Sequence, residues 1–197
     1  MTAPHRRFTR DELERFRDAT VPDLVGPGLR LLFVGINPGL WTAATQTHFA
    51  HPGNRFYPAL LRGGVITQAV NPAAGMDDRQ RGHLIARGIG ISNLVNRATA
   101  RAAELGRDEL REGAALLADR VAVWRPRVVA VAGITAYRTA FGRPRATAGP
   151  QEEALAAARL WVVPNPSGLN AHETVSSLAA IYRRVAQAAG IDVAADR

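Results

Sequence analysis

The sequence predicts an α/β protein, a three-layer sandwich with a central, mostly parallel sheet of four or five strands and helices on both faces. Three observations carry this reading. Short, mostly apolar runs lie at 31–34, 89–95, 128–132 and 160–163, as expected of strands buried on both faces. Segments with helical spacing separate them, so strand and helix alternate. Three of the runs are stopped at their carboxyl ends, by Gly35, Gly133 and Pro164.

Each element has its own signal. Thr9-Arg-Asp-Glu12 is a capping box that opens a short helix running to about Arg17. Two prolines and two glycines in 21–28 make a loop. After the strand at 31–34 comes a polar loop, 36–54, longer than most βα connections, which points to function rather than packing. Helices are expected at 55–61 and 77–86, on either side of residues with no clear pattern. The longest helix, 107–124, places Leu110, Ala114, Leu117, Val121 and Trp124 on one stripe. A short helix at 135–141, a surface loop at 143–149 and a closing helix at 175–189 complete the pattern. The expected organisation is one domain over 1–197: N-terminal helix and loop to 28, α/β core at 29–189, tail at 190–197.

Composition narrows the function. No apolar run approaches the roughly 18 residues that span a bilayer, and no apolar segment follows the basic N-terminus, so a cytoplasmic protein without membrane contact is expected. The net charge of +8 points to a polyanionic partner, nucleic acid first. There is no cysteine, which removes disulfides, iron–sulfur clusters and thiolate zinc sites. There is no lysine either, so no P-loop and no side-chain Schiff base can form. Every basic residue other than histidine is arginine, whose planar fork suits phosphate.

Three segments concentrate chemistry. Gly35-Ile-Asn-Pro-Gly39 is a tight turn presenting one polar side chain, Asn37; alone, such a turn is ordinary. His48-Phe-Ala-His-Pro-Gly-Asn-Arg-Phe56 sets an aromatic that could stack on a base among polar groups. His48 and His51 have no carboxylate or cysteine beside them, so no metal site is assigned and no cofactor is expected. Pro164-Asn-Pro-Ser-Gly-Leu-Asn170 is a loop fixed by two prolines and tipped by Leu169, which by itself reads first as a leucine folded back onto the core and otherwise as the kind of apolar wedge that parts base steps. The loops after Val34 and Val163 both leave carboxyl ends of strands and should face one crevice.

Taken together, these segments and Gly90-Ile-Ser-Asn-Leu-Val95 closely resemble the mismatch-specific uracil-DNA glycosylase and thymine-DNA glycosylase family, in order and in separation, over roughly Leu31 to Arg184. The resemblance implies a single-domain uracil-glycosylase fold. It implies a monofunctional hydrolase that flips uracil from G-mismatched double-stranded DNA, cuts its N-glycosidic bond and leaves an abasic site. Ethenocytosine and weak thymine excision are family-based extensions. By the same resemblance Asn37 positions the water; position 93 varies in residue type among relatives, and Asn93 is either a second catalytic polar group that helps to place water or sugar or a surface Asn at a strand end. Ile36, Thr42, Phe49 and Asn165 form the base pocket. Ser167, Gly168, Leu169 and Asn170 form the DNA-binding wedge.

Chemistry agrees with these roles. A carboxamide can orient water but cannot take its proton, so slower chemistry is expected than with Asp at position 37. Without lysine, β-lyase cleavage by a side-chain amine is excluded. Departures from relatives bear on two further positions. His172 stands near where some relatives carry Arg and could substitute in gripping the opposite strand. Trp41 is bulkier than expected and either narrows the pocket mouth or simply packs. The partner expected is a G:U-mismatched duplex, met by a monomer. Two other readings stay open: a non-catalytic module that binds mismatched DNA, and a small-molecule nucleoside hydrolase.

Overall fold

The computed structural model describes residues 8–194. The extreme N-terminus, 1–7, and the end of the expected tail, 195–197, lie outside the described residues. Among the described residues five strands form one sheet: β1 (Leu31–Gly35), β2 (Ile89–Asn93), β3 (Val128–Ala132), β4 (Gly149–Leu155) and β5 (Ala158–Val163). Their order is β2-β1-β3-β5-β4. All neighbours pair in parallel except β4, which runs antiparallel to β5 at the edge.

Seven α-helices among the described residues accompany the sheet: α1 (Arg10–Glu14), α2 (Leu40–Thr45), α3 (Phe56–Arg62), α4 (Asp78–Ala86), α5 (Arg107–Trp124), α6 (Ile134–Ala140) and α7 (Val175–Ala188). The two-residue alternation of the strands sorts them into layers. Leu31, Phe33, Ile89, Ile91, Val128 and Ala130 point to one face, where Phe56 and Leu60 of α3, Leu84 of α4 and Leu178 and Tyr182 of α7 cover them. Leu32, Val34, Val129, Val131, Leu160 and Val162 point to the other, under Leu110, Leu117 and Val121 of α5 and Tyr137 of α6. This is the expected three-layer sandwich, with five strands.

The differences from expectation have local causes. The capping box at Thr9 and Glu12 is present, but α1 ends at Glu14, because the next residues tighten into three-residue turns that stop at Asp18, which has a left-handed φ of 63°. The long loop at 36–54 contains α2, whose N-cap is Gly39 and whose first turn has no side-chain cap. Strand β2 ends at Asn93, although Leu94 and Val95 still donate to Gly35 O and Ile36 O. Strand β4 lies where no strand is expected. It carries Pro150, Glu152 and Glu153 and is mostly exposed, as suits an edge that must not recruit another strand.

Candidate active site

Four parallel strands end together at Gly35, Asn93, Ala132 and, two residues past β5, Asn165. Around these ends lies a cavity of about 170 Å³. Ile36, Asn37, Thr42, Phe49, Asn93 and Asn165 all line it, so the structure brings the expected catalytic and base-pocket residues together.

Asn37 is fixed through its amide nitrogen. Nδ2 donates to Arg97 O at 2.8 Å and to Thr99 Oγ1 at 2.8 Å. The Thr99 hydroxyl passes its own proton to Arg101 O at 2.9 Å, so it accepts from Asn37. A carbonyl only accepts, and the amide orientation is thereby decided. Oδ1 is left without a partner among the described residues. The segment that holds Asn37 is itself anchored: the Arg97 guanidinium bonds both carboxylate oxygens of Glu109, at 2.7 and 3.1 Å, and Asp18 at 2.8 Å.

Phe49 has a left-handed φ of 54°, unusual for an aromatic residue and held by its neighbours. The Tyr57 hydroxyl donates to His48 O at 3.0 Å, and Ala50 N donates to Thr42 Oγ1 at 3.4 Å. The Phe49 ring stacks on buried Phe56, centroids 4.1 Å apart. Thr42 thus shapes the wall by holding backbone. Gly35 explains why the ring can sit here: a methyl group at Gly35 would lie 2.6 Å from Asn93 Oδ1 and 3.4 Å from Phe49 Cζ.

Asn93 pairs with Gly35 across β1 and β2. Its Nδ2 lies 3.3 Å from His48 Nδ1, while His48 Nε2 lies 2.9 Å from Pro22 O. Since Pro22 O can only accept, Nε2 carries the hydrogen and Nδ1 accepts from Asn93. Burial pushes the His48 pKa below its usual value, which favours the neutral imidazole this arrangement needs. The second carboxamide oxygen, Asn93 Oδ1, is left over Gly35. Among the described residues the lining includes no carboxylate, and His51 is its one ionisable side chain. Two oriented acceptors and an aromatic wall can hold a planar ring and a water, but no carboxylate is placed to take the water's proton.

Beyond β5 the chain folds on itself. Asn165 Oδ1 accepts from Ser167 N, Ser167 Oγ from Leu169 N, and Asn165 O from Asn170 Nδ2. Leu169, at the tip, is 95% exposed. It makes no return to the core. Arg55 reaches this loop from the start of α3, donating to the carbonyls of Ser167, Gly168 and Asn170. His172 lies outside the cavity, exposed in a neighbouring cleft with Asn165, Asn170 and Glu173. Trp41 does not line the cavity. It donates to Ala73 O and packs edge-on to Phe8 and His51 beside the mouth.

Sequence reading missed Thr99, the carbonyl of Arg97, the role of His48 and the attachment made by Arg55. The first two act on Asn37 from 62 and 60 residues away, and no local pattern marks them. His48 and Arg55 stood inside a recognised motif, flanking Phe49 and Phe56, and that adjacency was the available signal.

Comparison with known proteins bears on the family and the fold. Residues 22–186 match the sequence model of the Uracil DNA glycosylase superfamily. Among solved structures, the chain is similar to a solution NMR structure of a Methanosarcina acetivorans protein provisionally named a uracil DNA glycosylase. That match has a TM-score of 0.56 at 16% identity and covers 84% of this chain and 96% of the other. At that identity the likeness speaks for the fold.

Proposed function

The chain belongs to the uracil DNA glycosylase superfamily, and from that premise we propose that it is a monofunctional glycosylase that removes uracil from G-mismatched duplex DNA. The observation that carries this reading is Asn37, whose pinned nitrogen leaves Oδ1 free at a cavity walled by Phe49.

The chemistry follows from these groups. A mismatched base is the least costly to extrude, and Leu169 would fill the space it leaves. The flipped uracil would stack on Phe49. Asn37 Oδ1 would accept a hydrogen bond from a water and hold its oxygen toward the anomeric carbon. With no carboxylate at the cavity among the described residues, bond cleavage runs ahead of water attack: uracil departs as an anion, the sugar takes on oxocarbenium character, water adds to it and gives up a proton to solvent, and the uracil anion is protonated in turn. Without lysine no side chain can form the imine that β-lyase strand cleavage needs, so an abasic site is the expected product. The reading extends to a monomer acting without a cofactor.

A panel of oligonucleotides tests this: U opposite G, U opposite A, U in single strand, and T opposite G. Excision is expected first and fastest for U opposite G, and Asn37→Ala should bind that duplex but leave the base in place. Full activity in Asn37→Ala would sink the mechanism. Binding without product in the wild type would favour a non-catalytic module, and turnover of free deoxyuridine without duplex cleavage would favour a nucleoside hydrolase.

A further inference from the structure

We propose that Arg55 is a positioning residue for the Leu169 loop and not a contact for DNA phosphate. The proposal rests on the reading of Leu169 as a wedge. An arginine at a DNA-directed surface is by default a phosphate partner. The geometry here assigns Arg55 elsewhere. Nη1 donates to Ser167 O at 3.1 Å and to Asn170 O at 2.9 Å, and Nη2 donates to Gly168 O at 3.4 Å. These carbonyls bracket Leu169 on both sides. The backbone adds a fourth tie, from Arg55 N to Pro166 O at 2.9 Å. Gly168 lies against the same segment, so closely that a methyl group there would come within 2.6 Å of Gly53 O.

The loop's internal hydrogen bonds give it shape, but they do not fasten it to the protein. Arg55 and the Gly168–Gly53 contact do. An exposed leucine gains nothing from its surroundings while it waits, so its aim depends on the loop that carries it. A wedge held in place before it meets the duplex spares the ordering cost at insertion. The same arginine opens α3, whose Phe56 supports the Phe49 ring. The wedge and the stacking wall are therefore mounted on one segment, 53–56.

Arg55→Ala, Arg55→Lys and Gly168→Ala test this in the full-length protein. Hydrogen exchange of the peptide spanning 164–172 reads the attachment directly. Fluorescence of 2-aminopurine placed beside a stable abasic analogue in a duplex reads insertion of Leu169. Exchange in the peptide is expected to quicken on the order of tenfold in Arg55→Ala while the rest of the protein keeps its protection, and the fluorescence change on binding should shrink. Arg55→Lys keeps the charge but not the fork and should loosen the loop in the same way. Gly168→Ala, with Arg55 intact, should loosen it from the other side. Unchanged exchange in Arg55→Lys overturns the proposal, and so does a salt dependence of duplex binding that becomes shallower by about 0.9 in Arg55→Ala, the signature of one lost phosphate contact. The exchange measurement stands whether or not the wild type cleaves uracil, so failure of the glycosylase reading is separable from failure of this one.

Discussion

The imidazole of His48 and the carboxamide of Asn93 form a buried pair, Nδ1 to Nδ2 at 3.3 Å, between residues 45 apart in the chain. Pro22 O fixes the tautomer of the first and, through it, the orientation of the second. The consequence reaches the cavity: Asn93 presents oxygen there rather than NH₂. On the proposed function, an acceptor at that point would suit the imino N–H of uracil and oppose the bare ring nitrogen of cytosine.

That pair makes stability depend on pH in a stated direction. His48 has a folded pKa below its ordinary 6.5, so below that pH the unfolded chain holds a proton that the folded chain refuses. Its contribution is fully present above pH 6.5 and is lost as pH falls toward the folded value, at up to about 1.4 kcal/mol per pH unit. Urea unfolding of the wild type and His48→Leu between pH 5 and 8 checks this. The variant is expected to be less stable at pH 8 by about 1–3 kcal/mol, because Pro22 O and Asn93 Nδ2 lose their partner, and to show a flatter acid limb. The pKa of His83 is also lowered and titrates in both proteins, so the difference isolates His48. Parallel curves would refute the assignment.

Thr99 should matter to rate more than to affinity. Its hydroxyl accepts from Asn37 and donates to Arg101 O, so Thr99→Val leaves the carboxamide held by Arg97 O alone. Single-turnover excision is expected to slow by roughly 10–100-fold, with mismatch binding little changed, since positioning errors of this kind cost rate. Thr99→Ser keeps the relay and should recover most of the loss. If Ser fails where Thr succeeds, the methyl group's packing and not the relay is the cause.

Leu169 offers a comparison of two substrates. If it fills the vacated stack, Leu169→Ala should reduce excision from a paired duplex on the order of tenfold and leave affinity for an already abasic duplex within about threefold. Equal losses on both would remove the wedge assignment.

What the sequence revealed and what it hid divide along physical lines. Ile36, Asn37, Phe49, Asn93 and Asn165 were legible because they sit in contiguous motifs at or after strand ends, and a parallel sheet gathers its carboxyl ends at one edge. Glycine and proline marked those ends because they break strands. The partners of Asn37 and Asn93 were not legible, since hydrogen bonds spanning 62 and 45 residues leave no local periodicity. Strand β4 was hidden by its own function as an edge: Pro150, Glu152 and Glu153 discourage pairing and so read as loop. Helix α2 was hidden because Gly39 gives no side-chain cap to signal its start.

Gly35 carries the most specific expectation. Its φ is not left-handed, so alanine meets no backbone strain there; the obstacle is space alone. A methyl group would press on Asn93 Oδ1 at 2.6 Å and on the rim of Phe49 at 3.4 Å. Asn93 cannot retreat freely, because His48 holds its other end, and Phe49 is backed by Phe56. The methyl therefore enters the cavity and displaces the acceptor. Gly35→Ala should cost about 1–3 kcal/mol of stability and lower kcat/KM for U opposite G by roughly two orders of magnitude, a loss of transition-state stabilisation near 2.7 kcal/mol. Binding to an abasic duplex, which places no base in the cavity, should survive. Retained excision in a folded Gly35→Ala protein would mean that the flipped base does not occupy the space between Phe49 and Asn93.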